Sequence, residues 1–275
     1  MFLICYLSRA SLQTVLGNLS GNHETMERWE NRVAVVTGGS SGNGAAIAKY
    51  LANNKLVTVN LDINVEGHMA LLAEVNAEVR KRMHHIKCNV RKEDDINAAF
   101  REIEKKYGPV AVLVNNAGVV ADSFLLSENN SGEMLKILET NLLAAVYCTR
   151  EAFRSMKAND IDGHVFMIGS ICGHNVPIIP NNPTNLYSPT KFAIRALTEM
   201  YRQEFLGQNT KIKVTCISPG AVKTNLFNHP GNIAPTLPAE LNPNAIADLL
   251  IYCLQTPPDV QIHDVIIKPM GEMFC

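Results

Sequence analysis

A run of apolar, mostly β-branched residues, Arg32–Thr37, passes directly into Thr37-Gly38-Gly39-Ser40-Ser41-Gly42-Asn43-Gly44 and then into an amphipathic stretch from about Asn43 to Asn53. This order of strand, glycine-rich turn and helix constrains the fold more than any other feature of the chain. Glycines without a Cβ allow a tight turn and a close approach of backbone to a ligand. The helix that follows offers free N–H groups and the positive end of its dipole. A pyrophosphate fits such a turn, but so does a plain strand-to-helix connection, and the glycines alone do not separate the two.

The same alternation continues along the chain. Strands are expected at Leu56–Leu61, Met83–Cys88, Val110–Val114, His164–Gly169, Lys213–Ile217 and Val260–Ile267. Helices are expected at Val65–Val79, Asp94–Lys106, Gly132–Lys157 with a break near Thr140, Tyr187–Leu206 and Asn244–Leu254. Nearly continuous apolar strands between helices imply an α/β fold: a single-domain Rossmann-type, doubly wound parallel sheet of about seven strands with helices on both faces. The 275 residues suit one such domain. We assign residues 26–275 to it. Residues 1–25 read as an N-terminal extension, because Met26-Glu27-Arg28-Trp29 resembles a second start just before the first strand. The Pro- and Asn-rich segment Asn225–Pro243 is expected to form a lid-like loop.

Composition narrows the classes. An apolar content of 47% argues against a disordered chain, and a net charge of −1 with only short basic runs argues against a nucleic-acid binder. Seven widely spaced cysteines without a C-x-x-C pair read as free thiols in a reducing, cytoplasmic setting, with no disulfide frame and no metal site. No apolar run reaches the length of a membrane span, and Met1–Leu7 lacks the basic flank and cleavage site of a secretory signal.

Several polar residues stand at strand ends, where ligands bind in open α/β sheets. Asp62 follows the second strand, where a carboxylate accepts hydrogen bonds from the ribose hydroxyls of a dinucleotide and repels a 2′-phosphate. No Arg or Lys sits beside it or in the glycine turn, so NAD is expected over NADP, with NADP the alternative; the competing reading makes Asp62 a turn residue. Asn115-Asn116-Ala117-Gly118 ends the fourth strand with amides and small residues suited to close packing on a cofactor. Tyr187 and Lys191, four apart at the start of a helix, share one face. A phenol with a pKa of about 10 is a poor base at neutral pH, and a nearby ammonium favours its ionised form. Ser170 ends the fifth strand, and its hydroxyl can hold a substrate oxygen. A lone Tyr–Lys pair is more often an ordinary pair on a surface helix; the ordered set carries the weight.

Taken in that order, these residues resemble the short-chain dehydrogenase/reductase family, from about Arg32 to the end of the chain. The family's glycine pattern falls on Thr37, Gly38, Gly42 and Gly44, its N-N-A-G on Asn115–Gly118, and its P-G motif on Pro219 and Gly220. The resemblance implies a catalytic tetrad of Asn141, Ser170, Tyr187 and Lys191. In it Tyr187 exchanges a proton with the alcohol or carbonyl oxygen, Lys191 binds the nicotinamide ribose and lowers the phenol's pKa, and Asn141 holds a water in a relay to Lys191. It implies cofactor contacts from Gly38, Ser40, Ser41, Asn43, Gly44, Asp62, Asn89, Val90, Asn115, Ala117, Gly118, Pro219, Gly220, Val222 and Thr224, together with Tyr187 and Lys191. A closer likeness, in Met26–Trp29, the C-T-R-E-A-F stretch from Cys148, Asp162-Gly163-His164, Cys216–Gly220 and Gln255–Pro258, is to the family's farnesol dehydrogenase-like branch. That branch implies hydride transfer between NAD(P) and a lipophilic alcohol or ketone of the isoprenoid or steroid class. It also implies a homodimer or homotetramer built on the helices after strands four and five.

The substrate pocket would come from Val119–Leu126, Ile171–Pro180 and Asn225–Pro238, with His174 near its mouth read as a surface or structural residue and a substrate contact as the alternative. The chain departs from the family at Asn43 (usually Ile or Leu), at Asn89 (usually an adenine-binding Asp), at Gly169, and at Asp62-Ile63, where the branch carries a small residue and an NADP-binding Arg. Pro189 is tolerable because it lies in the first turns of its helix. The alternative function is a non-catalytic small-molecule- or nucleotide-binding protein on the same fold. A racemase or epimerase is disfavoured, since those chains carry a larger C-terminal substrate region.

Overall fold

A computed structural model describes residues 26–121, 123–177, 184–227 and 239–272. The first strand, β1 (Val33–Thr37), is followed by α1 (Gly42–Asn53), β2 (Val57–Asp62), the helices α2 (Val65–Ala73) and α3 (Ala77–Arg80), β3 (Met83–Lys87), α4 (Glu93–Tyr107) and β4 (Val110–Asn115). The second half runs α5 (Ser131–Leu138), α6 (Ala144–Ala158), β5 (His164–Ile168), α7 (Tyr187–Gly207), β6 (Lys213–Pro219), α8 (Pro243–Gln255) and β7 (Asp264–Ile267). All seven strands pair in parallel in the order β3-β2-β1-β4-β5-β6-β7. The order reverses direction between β1 and β4, and such a switch point leaves a crevice at the carboxyl ends of the strands.

The central strands β1, β4 and β5 are buried on both faces, which is why they read as continuous apolar runs rather than alternating ones. Phe100, Met156, Ile194 and Phe205 from α4, α6 and α7 cover one face, and Ile47, Leu51, Ile246 and Leu250 from α1 and α8 cover the other. Residues 28 and 29 belong to this framework. Trp29 Nε1 donates to Leu254 O at 2.9 Å and Arg28 donates to the carbonyls of Leu254 and Thr256, so both cap the carboxyl end of α8.

Three expected elements differ. The helix expected over Val65–Val79 is two helices, because Asn76 turns out of the first and its Oδ1 accepts from Val79 N at 3.0 Å, capping the second. The expected break near Thr140 is a π-helical turn, Glu139–Leu143, that holds Thr140 and Asn141 buried. The last strand begins at Asp264 rather than Val260. Residues 1–25 and most of the expected lid (228–238) lie outside the described residues. Among the described residues, no helix is long and apolar enough to cross a membrane, and Cys88, Cys148, Cys172, Cys216 and Cys253 are free thiols.

Candidate active site

The glycine turn closes over the carboxyl end of β1. Gly38 has φ +64° and Gly42 φ +52°, both left-handed values that side chains resist, and a Cβ at Gly44 would overlap Gly38 O. Ser41, the residue before α1, makes no side-chain cap, and the helix carries no acidic residue in its first turn, so its leading N–H groups and dipole are free for an anion. The turn is tied down from β4. Thr37 Oγ1 accepts from Asn116 N and Ala117 N, both at 3.0 Å, and Asn116 Nδ2 donates to Thr37 O at 2.9 Å and Gly38 O at 3.1 Å. The turn is therefore a preformed cradle open to an anion.

A buttress beneath the turn went unnoticed in the sequence. Asn60 of β2 fills the space under Gly39, donates to Gly39 O at 2.9 Å, and faces His68 Nδ1 at 3.3 Å. His68 is buried on α2, with its ring 5.0 Å from that of His85. Burial first, then the neighbouring His85 and His84, push its pKa down to about 4, against a smaller raising effect of Asp62. A histidine whose folded pKa lies below the unfolded one costs stability as pH falls through that window. We expect about 2 kcal/mol of this cost at pH 5 relative to pH 7.5. Urea unfolding at the two pH values checks it: wild type should lose that much more than His68→Gln, and equal losses would refute the assignment.

Asp62 ends β2. One carboxylate oxygen accepts from Ser40 N at 3.0 Å and the other from Asn64 N at 2.9 Å, which fixes the group at the rim of the crevice. Asn89 and Val90 line the cavity beyond it. Asn89 Oδ1 accepts from Arg91 N at 3.2 Å in its own turn. Arg91 lines the same cavity, a cation that no motif marks; it is paired with Glu139 at 2.7 Å.

At the other end, Ser170 and Tyr187 form a hydrogen-bonded wall. Ser170 Oγ accepts from Cys172 N at 3.1 Å as it caps a short 3-10 turn, Ile171–Gly173. Tyr187, the first residue of α7, is buried, and its phenol is pushed up, first by burial and then by the adjacent Cys172, against the lowering hydrogen bond from Ser170. Lys191 is buried one turn further on. Its Nζ donates to Ile168 O at 2.8 Å and stands 5.5 Å from the centre of the Tyr187 ring. Burial pushes its pKa down to about 8, against raising effects of Cys216 and Cys172. Both groups are thus driven toward their neutral forms. This is opposite to the lowering of Tyr187 expected from a neighbouring ammonium: burial dominates, and the lowering effect present is the hydrogen bond with Ser170.

One cavity of about 530 Å³ joins the two ends. It is lined by Gly38, Ser41, Asn43, Asp62, Asn89, Val90, Ala117, Gly118, Ser170, Tyr187, Lys191, Pro219, Gly220, Val222 and Thr224. Four of the expected residues stay off its surface. Ser40 is buried in the turn, Gly44 packs under Gly38, and Asn115 points inward, with Nδ2 donating to Thr149 Oγ1 at 2.9 Å. Asn141 sits behind the wall in the π-helical turn. Its amide pairs with the backbone of Val119 in both directions, at 2.8 and 2.9 Å, and its Nδ2 reaches Thr190 Oγ1 at 3.3 Å. Of the expected substrate pocket, Val119, Ile171, Cys172, Pro177, Asn225 and Leu226 line the cavity, whereas residues 122, 178–180 and 228–238 lie outside the described residues. His174 does not line it and lies 3.9 Å from Asp264, as a structural residue would.

The family model of the short chain dehydrogenases matches residues 32–231. A farnesol dehydrogenase of Aedes aegypti is 43% identical over 249 residues, covering 90% of this chain and 100% of that protein. Dehydrogenase/reductase SDR family member 11 of Mus musculus is 40% identical over 257 residues, covering 90% of this chain and 98% of that protein. The fold is shared with an alcohol dehydrogenase from the archaeon Thermococcus sibiricus, solved with 5-hydroxy-NADP, at a TM-score of 0.73 and 24% identity, covering 88% of this chain and 98% of that one. The chain belongs to the short-chain dehydrogenase family and is an oxidoreductase that uses NAD(P).

Proposed function

We propose that this chain oxidises a lipophilic alcohol, or reduces the matching ketone or aldehyde, with NAD preferred over NADP and Tyr187 as the acid/base. The observation that carries this reading is the single cavity in which the hydrogen-bonded Ser170–Tyr187 wall, with Lys191 behind it, faces the glycine cradle and Asp62. Bound nicotinamide would supply or accept the hydride. The chain's part is to hold the reacting oxygen on Ser170 Oγ and Tyr187 Oη and to move a proton between that oxygen and Tyr187. Ser170 keeps its hydroxyl aimed by accepting from Cys172 N. Asn141 acts through position: by clamping Val119 and touching Thr190 it joins the loop after β4 to the first turn of α7. Because burial holds the Tyr187 phenol up, added positive charge in the loaded site, from a protonated Lys191 or an oxidised nicotinamide, favours its ionisation.

The preference for NAD rests on Asp62, fixed where a 2′-phosphate would crowd it, and on the pairing of Arg91 with Glu139. The lipophilic substrate class rests on the apolar lining from Val119, Ile171, Pro177 and Leu226, and on the farnesol dehydrogenase among the relatives. Exposed Leu135 on α5 and Phe192 and Met200 on α7 suit a homo-oligomer built on those helices. A panel of farnesol, steroid alcohols and retinol, each run with NAD and NADP, tests the reading. We expect turnover of at least one member with NAD the better cofactor; no turnover with either cofactor would overturn it.

A further inference from the structure

Beyond the Ser170–Tyr187 wall the cavity is apolar, with Ile171, Pro177 and Leu226 along it, and one carboxylate interrupts that lining. Glu272 follows β7 on the C-terminal tail and folds back to line the same cavity. Its Oε2 is buried and accepts no hydrogen bond among the described residues. It packs against Gly220, where any Cβ would overlap that oxygen, so the glycine after Pro219 is what lets the carboxylate in. Gly220 follows β6, which pairs with β5, the strand that leads into Ser170, so Glu272 enters the cavity from the Ser170 side rather than from the glycine turn after β1. A buried carboxylate oxygen without a protein donor is an acceptor open to a donor that arrives with the ligand.

We propose that Glu272 binds a second O–H or N–H donor on the substrate, apart from the reacting carbinol. The preferred substrate is then an apolar alcohol, or the matching carbonyl compound, that carries one further donor group. This rests on the reading of the cavity under Proposed function and narrows its substrate class. The alternative donor is the carboxamide of a bound nicotinamide, and the NADH affinity of the variants separates it from a donor on the substrate.

Binding to the full chain saturated with NADH, which alcohols cannot reduce further, tests the proposal without needing turnover. The probes are 1-decanol, the 1,2-, 1,4- and 1,10-decanediols and 10-amino-1-decanol, each titrated calorimetrically. At least one doubly functional probe should bind about tenfold more tightly than 1-decanol, the scale of a hydrogen bond to a charged group. Glu272→Ala should bring that probe and 1-decanol to the same Kd. The isosteric Glu272→Gln, which keeps an acceptor, should retain part of the preference for a diol and lose it for the amino alcohol. The proposal is overturned if no probe is preferred, if the preference survives in Glu272→Ala, or if the variant weakens NADH and leaves the preference intact. Turnover of the same probes with NAD, measured separately, judges the oxidoreductase reading. Selective binding without turnover would sink that reading alone, and turnover without selectivity would sink only the role of Glu272.

Discussion

Replacing Tyr187 by Phe removes one oxygen and should lower kcat/KM for alcohol oxidation by about 10³-fold, within the range a positioned acid/base contributes. The ring stays, so its packing against Cys172 and below Lys191 stays as well, and the thermal midpoint should move little. The loss should fall on kcat more than on KM, because the proton moves only as the reaction proceeds. Dinucleotide affinity should change by no more than a few-fold, since the glycine cradle, Asp62 and Asn116 are untouched. Ser170→Ala should cost less alone and add little to Tyr187→Phe, because the two hydroxyls act on one oxygen as a unit. Stopped-flow and steady-state rates on the three variants check this. An unchanged kcat in Tyr187→Phe would leave a binding protein on this fold as the better reading.

The second large effect concerns the adenosine end. Asp62→Ala with Ile63→Arg should reverse the cofactor ratio, shifting the quotient of kcat/KM for NADP over NAD by about 10²–10⁴-fold. Two charges about 4 Å apart near a protein surface interact by roughly 4 kcal/mol, so exchanging a repulsive group for an attractive one is a change of that size. Asp62 also accepts from Ser40 N and Asn64 N, so its removal loosens the rim and part of the shift will appear as a weaker NAD complex. Asp62→Asn separates the effects, since an amide oxygen keeps one of those acceptor roles without the charge. Ile63 is exposed, which gives an arginine room without disturbing the core. Steady-state kinetics with both cofactors read the outcome, and a wild-type enzyme that already works as well with NADP would refute the preference for NAD assigned to Asp62.

The fold was legible because burial on both faces of a parallel sheet leaves an unambiguous trace: β1, β4 and β5 read as unbroken apolar runs, and helices separate the strands. Gly38, Asp62, Ser170, Tyr187 and Lys191 were legible as site candidates because each stands at a strand end or a helix start, where sequence position and spatial position coincide. What was missed depends on contacts across long stretches of chain. Asn60 and His68 support the glycine turn from below, yet an Asn inside a strand and a His inside a helix carry no local mark of it. Arg91 and Glu272 reach the cavity from loops after β3 and β7, and no periodicity reports where a loop returns. Asn115 and Asn141 were found by motif, but which way an amide points is set by partners such as Thr149 and Val119, far away in sequence. The state of Tyr187 is also hidden: spacing shows that Lys191 is near, whereas only packing shows that burial drives both groups toward their neutral forms.

The most direct measurement follows one deuteron. Carbinol-deuterated farnesol, or the best alcohol of the panel, is turned over with NAD by the wild-type chain and by Tyr187→Phe, and the reduced cofactor is examined by mass spectrometry. The expected result is deuterium in the reduced cofactor from the wild type, with a slower rate than for the protonated alcohol, and about 10³-fold less product from Tyr187→Phe. Equal labelling rates from both chains, or reduced cofactor without deuterium, would contradict the assignment of hydride transfer to the Tyr187 wall.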